Sequence, residues 1–172
     1  MNEHVSGIFI RELGRQADYS LKAKARIDEL IARSPPPTLE LFGQLETFLN
    51  CAAKVSLLLW PTRASSKARG EYLRKALGVA DDNPLATRAA RNHLQHFDER
   101  LDDWAATTKN GNYVDRNIGS LAGISMGDGS KVLRHFDPAT STFTFQSEDF
   151  NILELANEVQ KVAKAAKKLD NR

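Results

Sequence analysis

Three consecutive prolines, Pro35-Pro36-Pro37, stand between two strongly helical stretches, and no regular element can run through them. Each lacks a backbone donor and fixes φ. Upstream, Ile10, Leu13, Ala17, Ile27 and Ile31 recur at helical spacing, which predicts a helix from Gly7 to Ala32. Downstream, Thr38 is placed to cap a second helix, with Glu40 in its first turn near the positive end of the dipole. Phe42, Leu45, Leu49, Ala52 and Ser56 share one face of it, and Leu57-Leu58-Leu59-Trp60 make its end apolar all round, the pattern of a central helix. Pro61 stops it. The chain is committed early to a pair of long helices joined by a stiff loop inside one domain.

The rest of the chain continues in the same vein. A third helix is expected from Lys67 to Leu77, with Gly78 where a left-handed residue is easiest. Asn83 and Pro84 form a cap and first residue for a fourth, which Asn110-Gly111 closes. Along it Ala90, Leu94, Phe97, Leu101 and Trp104 draw a narrow apolar seam suited to packing against another long helix, in the same chain or in a second copy. Lys131 to Phe136 and Ser141 to Gln146 read as two strands of a hairpin, turned by Asp137-Pro138-Ala139-Thr140. Ser147 is expected to cap a last helix, with Glu148 and Asp149 in its first turn and Ile152, Leu155, Val159, Val162, Ala166 and Leu169 as its core face. The expected class is therefore mainly all-α: about five helices in one domain over residues 1–172, with a small β-hairpin insert at about 117–146.

Composition narrows function by exclusion. At 172 residues, 41% hydrophobic and 27% charged, the chain has the make-up of an ordinary globular domain. Its one cysteine, Cys51, can form neither an internal disulfide nor a cysteine-based zinc site, and its apolar neighbours suggest a small buried thiol. The N-terminal residues carry no signal-peptide pattern, and the apolar cluster Val55 to Trp60 is far short of the ~20 residues a membrane span requires. A cytoplasmic protein with no membrane partner is expected. The formal charge of +2 permits an anionic partner without demanding one, and the last helix concentrates Lys161, Lys164, Lys167, Lys168 and Arg172.

The segment Arg91-Asn92-His93-Leu94-Gln95-His96 holds the best candidate site. An arginine, a polar follower and a histidine after four intervening residues, on a helix within a small bundle, resembles the signature of the HEPN superfamily of helical RNases and nucleotide-binding domains. Arg91, Asn92 and His96 match its three positions. Arg88 and His93 make a second copy with the same gap, but Ala89 gives that copy no polar follower. The resemblance implies a metal-independent endoribonuclease of toxin or phage-defence type, without cofactor, working as a homodimer on RNA and paired in some systems with an antitoxin protein.

The chemistry of the residues agrees with that implication. Cleaving RNA through its own 2′-hydroxyl needs a proton-transfer group near neutral pH, which His96 supplies. It also needs a permanent cation on the phosphate oxygens, which the Arg91 guanidinium supplies, with Asn92 donating to phosphate or orienting the histidine. Arg88 and His93 would add RNA contacts. Five residues at ~100° each set Arg91 and His96 about 140° apart around a helix, so two copies packed along the seam would serve one phosphate better than one.

Other readings stand beside this one. Arg88, Asn92, His96, Glu99 and Asp103 also follow the spacing of an ordinary solvated face laced with ion pairs. His93, His96 and Glu99 are three apart, as metal ligands could be, though surface histidines beside acids are the commoner case. Gly127-Asp128-Gly129-Ser130-Lys131 fails the spacing of a phosphate-binding loop and reads as a turn. His135, in the hairpin, is expected to be structural. The two alternatives to a nuclease are a HEPN-like module that binds RNA or a nucleotide without cutting it, and a helical interaction protein in which the motif is coincidence.

Overall fold

The computed structural model describes residues 3–87, 97–108, 113–122 and 132–171. Within them lie five α-helices, two short 3-10 turns and a four-stranded sheet. Helices α1 (Glu3–Ile31) and α2 (Thr38–Leu59) are the two long helices expected on either side of the prolines, and they pack against each other. Phe42, Leu45, Leu49, Ala52 and Ser56 of α2 are all buried, and Ser20 of α1 donates to the Phe48 carbonyl at 3.1 Å, satisfying a hydroxyl that helix packing would otherwise strand. Thr38 proves to be the first helical residue, not the cap. Pro37 holds the cap position in extended conformation and offers no side-chain acceptor there.

Helix α3 (Lys67–Leu77) ends as the sequence predicts, with Gly78 at φ 67°. It packs very closely on the end of α2: a Cβ built at Gly70 would lie 2.5 Å from Pro61 Cδ and 2.6 Å from the Leu59 carbonyl oxygen. Arg74 Nη1 donates to that same oxygen at 2.6 Å. Glycine at position 70 is thus what lets the two helices meet.

The expected fourth helix does not run unbroken from Asn83. Asn83 does act as a cap, accepting from the Leu85 amide at 2.9 Å, but what it caps is a 3-10 turn, Pro84–Ala86. Thr87 follows at φ −57°, ψ 137°, an extended geometry that ends the turn. The physical reason lies in tertiary contacts: Ser56 of α2 donates to the Leu85 carbonyl, and the Asn83 amide donates to Glu158 at 2.6 Å. These hold the turn against two helices. The described helix in this region, α4, spans Phe97–Thr107.

The strand insert is larger than a hairpin. Strands β1 (Asn117–Ile118), β2 (Arg134–Asp137), β3 (Thr142–Phe145) and β4 (Glu148–Asn151) lie in that order, β1 parallel to β2 and the others antiparallel. Strand β4 occupies residues read from sequence as the start of the last helix. Ser147 is not a cap. Asn151 is, accepting from the Glu154 amide at 2.9 Å, and α5 runs Ile152–Asp170. Gln146 at φ 55° makes the tight turn that folds β4 back on β3, and this buries Phe150 against Phe143 at 6.4 Å between ring centroids.

Register sorts the sheet into two faces. Ile118, Phe136, Phe143 and Phe150 sit opposite one another in one row. Phe143 meets Phe42 of α2 at 6.1 Å, so this face closes the core. Each such fully buried aromatic is worth roughly 1.5–3 kcal/mol relative to exposure. The other face carries Asn117, His135, Thr144 and Asp149. Helix α5 completes the core with Ile152, Leu155, Val159, Val162 and Ala166, and lies antiparallel against α1, where Gly14 faces the Ala166 methyl at 3.7 Å. Cys51 is buried as expected, and burial pushes its thiol above the ordinary value. None of the described helices is long and apolar enough to cross a membrane.

Candidate functional site

Arg88, Arg91, Asn92, His93 and His96 all lie outside the described residues, as do Ala90 and Leu94 of the seam and the Gly127–Lys131 segment. The two flanks of the motif are described. On one side the chain leaves Thr87, at the end of the turn clamped by Ser56, Asn83 and Glu158. On the other it enters α4 at Phe97, whose ring rests on Phe145 at 5.9 Å. Arg100 then pairs with Glu148 at 2.9 Å and its carbonyl accepts from Gln146 Nε2 at 2.6 Å, fastening α4 to the β3–β4 turn. The described residues on either side of it are thus held by helix packing at Thr87 and by the sheet at Phe97 and Arg100.

The described part of the seam is divided. Trp104 packs inward, edge-on to Tyr113 at 5.2 Å. Leu101 stays 36% exposed and Phe97 40%. Helix α4 buries no residue fully, and Asp98, Glu99, Asp102 and Asp103 are all exposed along it.

His135 is 5% exposed, in the polar row of the sheet. Its Nδ1 lies 3.0 Å from Asn117 Nδ2. Burial holds its pKa below the ordinary 6.5, and the Asn117 backbone, Asp137 and Asp149 pull the other way without overcoming it. The Thr144 hydroxyl, one strand away, is committed to Asp149 at 2.6 Å. This leaves a neutral imidazole with no nucleophile among its described neighbours, an arrangement that fits a structural part.

Sequence reasoning missed two clusters. Arg134 donates twice to Asp115, from Nε and Nη2 at 2.8 Å each, and from Nη1 to Glu46 of α2 at 2.8 Å. Burial alone would raise the Asp115 pKa, but the hydrogen bonds and charge of Arg134, with Arg116 beside it, more than offset this and hold it below the ordinary value. The signal was present in the strand pattern: Arg134 is in phase with Phe136, so a charge had to point at the core side and needed partners.

The second is a groove of about 670 Å³ between α1 and α5. Gly14, Ala163 and Ala166 give it a floor of small residues, and Arg11 and Arg15 on one side face Lys164 and Lys167 on the other. The lysines were visible in the sequence as a basic stripe on the last helix. Their meeting with two arginines 150 residues earlier needed the fold. Two acids, Asp18 and Asp170, also line it, Asp170 with Arg11 Nη1 at 3.5 Å. Among the described residues no group of three or more His, Cys, Asp or Glu is placed to hold a metal ion.

Set against protein-family models, curated proteins and solved structures, the chain matches none.

Proposed function

We propose that the chain acts on RNA, cutting it without a metal at the segment Arg91–His96. Arg91 holds the phosphate, His96 moves the proton of the attacking 2′-hydroxyl, and Asn92 orients them. Arg88 and His93 contribute contacts to the RNA, and a homodimer supplies the matching arginine and histidine. The observation that carries this reading is the spacing itself: an arginine, a polar follower and a histidine, within a chain that folds mainly as helices. A toxin or phage-defence role, with an antitoxin protein as partner, is the setting proposed for such an activity.

The test is incubation of structured and unstructured RNA with purified protein in EDTA. Arg91→Ala and His96→Ala should each abolish cleavage while leaving the helical signal intact, since proton transfer alone is worth about 10²–10⁴-fold. Arg88→Ala and His93→Ala should do less. Cleavage that disappears in EDTA, or survives both main substitutions, would refute the mechanism. Salt-sensitive RNA binding that Arg91→Ala removes, with no cleavage, would instead identify a binding module.

A further inference from the structure

The α1–α5 groove and the outward face of α4 complement one another in charge, shape and repeat. The inner side of α4 is spent: Phe97 on Phe145, Arg100 on Glu148, Trp104 on Tyr113. What remains outside is Asp98, Leu101, Asp102 and Ala105, spaced three and four apart so that they share one helix face. It is a short apolar centre beside two carboxylates. Among the described residues neither Asp98 nor Asp102 makes a hydrogen bond or ion pair with a cation, so the face is charged and unspent.

The groove is its counterpart. Its floor is apolar, with Gly14, Ala163 and Ala166 beside Ile10 and Leu21. Its rims are Arg11 and Arg15, and Lys164 and Lys167, with Asp18 and Asp170 between them. Arg11 is on Asp170 at 3.5 Å and Arg15 on Glu12 at 2.7 Å, so the lining keeps an excess of positive charge carried mainly by the two lysines. No aromatic ring among the described residues lines it, so they offer no platform on which bases of a single-stranded nucleic acid could stack. Lys164 and Lys167 have no carboxylate partner among the described residues. Arg11 and Arg15 are four residues apart on α1, and Asp98 and Asp102 four apart on α4. Both pairs therefore repeat at about 6 Å along their axes, and the rows can pair rung by rung.

We propose that α4 of one copy of this chain docks into the α1–α5 groove of a second copy, with Leu101 over the Gly14–Ala166 floor and Asp98 and Asp102 between the two basic rims. Groove and helix belong to the same chain, so a two-fold rotation that brings each α4 to the other copy's groove closes a pair, and any other rotation links copies in a ring or a row. The contact uses Asp98 and Asp102 on the exposed face of α4, with Leu101 at the edge of that face beside Phe97 and Trp104, and it stands or falls without RNA.

Sedimentation of the purified chain tests it, with two double variants on exposed residues. Wild type should associate at low salt and dissociate toward 1 M, where the screening length falls from about 10 Å at 0.1 M to about 3 Å. Lys164→Glu with Lys167→Glu places acid against acid, and Asp98→Lys with Asp102→Lys places base against base. Each double variant alone should be monomeric, with an unchanged circular dichroism spectrum. Mixed in equal amounts they should associate again, since every groove then finds an α4 of opposite sign. A wild-type monomer at the highest soluble concentration overturns the proposal. So does association that survives either double variant, or a mixture that stays monomeric.

Discussion

Replacing glycine by alanine at two helical positions should move stability in opposite directions. Gly43, in α2, is exposed, and a Cβ added there meets nothing within 4 Å. Gly43→Ala should therefore gain the difference in helix propensity, about 0.8–1 kcal/mol. Gly70, in α3, is buried, and the same methyl would lie 2.5 Å from Pro61 Cδ and 2.6 Å from the Leu59 oxygen, against 3.4 Å for ordinary contact. Neither atom can yield easily. Pro61 is a ring fixed in φ, and the Leu59 oxygen is held by Arg74 Nη1. Separating α3 from α2 enough to relieve the clash would stretch that hydrogen bond. Overpacking of this kind costs about 1–3 kcal/mol and belongs here at the upper end, because the strained atoms are backbone and ring. The propensity gain offsets about 1 kcal/mol, leaving a net loss of roughly 1–2 kcal/mol. For a chain of this size each kcal/mol is roughly 2–4 °C. Calorimetry should show Gly43→Ala melting a few degrees above wild type and Gly70→Ala several degrees below. Gly70→Ala melting above wild type, as Gly43→Ala should, would refute the packing argument, because propensity would then be the only effect at work.

Three further substitutions probe the sheet and its contacts. Asp115→Ala leaves Arg134, 17% exposed at its side chain, without its two-pronged partner, and should cost about 1–3 kcal/mol by chemical denaturation. Glu46→Ala removes the third bond, but that carboxylate is 44% exposed, so its loss should cost under about 1 kcal/mol, and a reversed order would refute the assignment. The lowered pKa of His135 means that the unfolded chain takes up the proton first as pH falls. Its contribution is present in full above 6.5 and is lost as pH drops through the lower folded value. Urea midpoints should fall between pH 7 and pH 5, less steeply in His135→Gln, and equal slopes would show that the ring titrates as it does in the unfolded chain.

The helices with local stop signals were legible in the sequence. Gly78 ended α3 because a left-handed residue there needs nothing from elsewhere in the fold. The helix starts were harder. Asn83-Pro84 and Ser147-Glu148-Asp149 both look like helix beginnings, and in both cases tertiary contacts decided otherwise. Ser56 and Glu158 claim the first as a short turn, and pairing with β3 claims the second as strand β4. Strand β4 reads Glu-Asp-Phe-Asn, with one apolar residue, so no alternation announced it. Strand β1 has two residues, too few to carry a period at all. Of the candidate chemistry, the lysines of α5 were visible but their opposing arginines were not, because α1 and α5 meet only in three dimensions. The Arg91–His96 spacing was legible from the sequence alone and remains a reading of the sequence.

The pairing of α1 with α5 has a consequence for how the protein is made. Arg11 and Asp170, which touch across this pair, are 159 residues apart in the chain. During synthesis, α1 and α2 can fold on each other early, but the side of α1 that α5 covers has no partner until nearly everything else has emerged. At roughly 5–20 residues per second that wait is on the order of ten to thirty seconds. Through it the nascent chain carries an open apolar flank, including Ile10, that the finished protein hides. The interval is set by the speed of the ribosome, and a stall before α5 would lengthen it however stable the completed fold becomes.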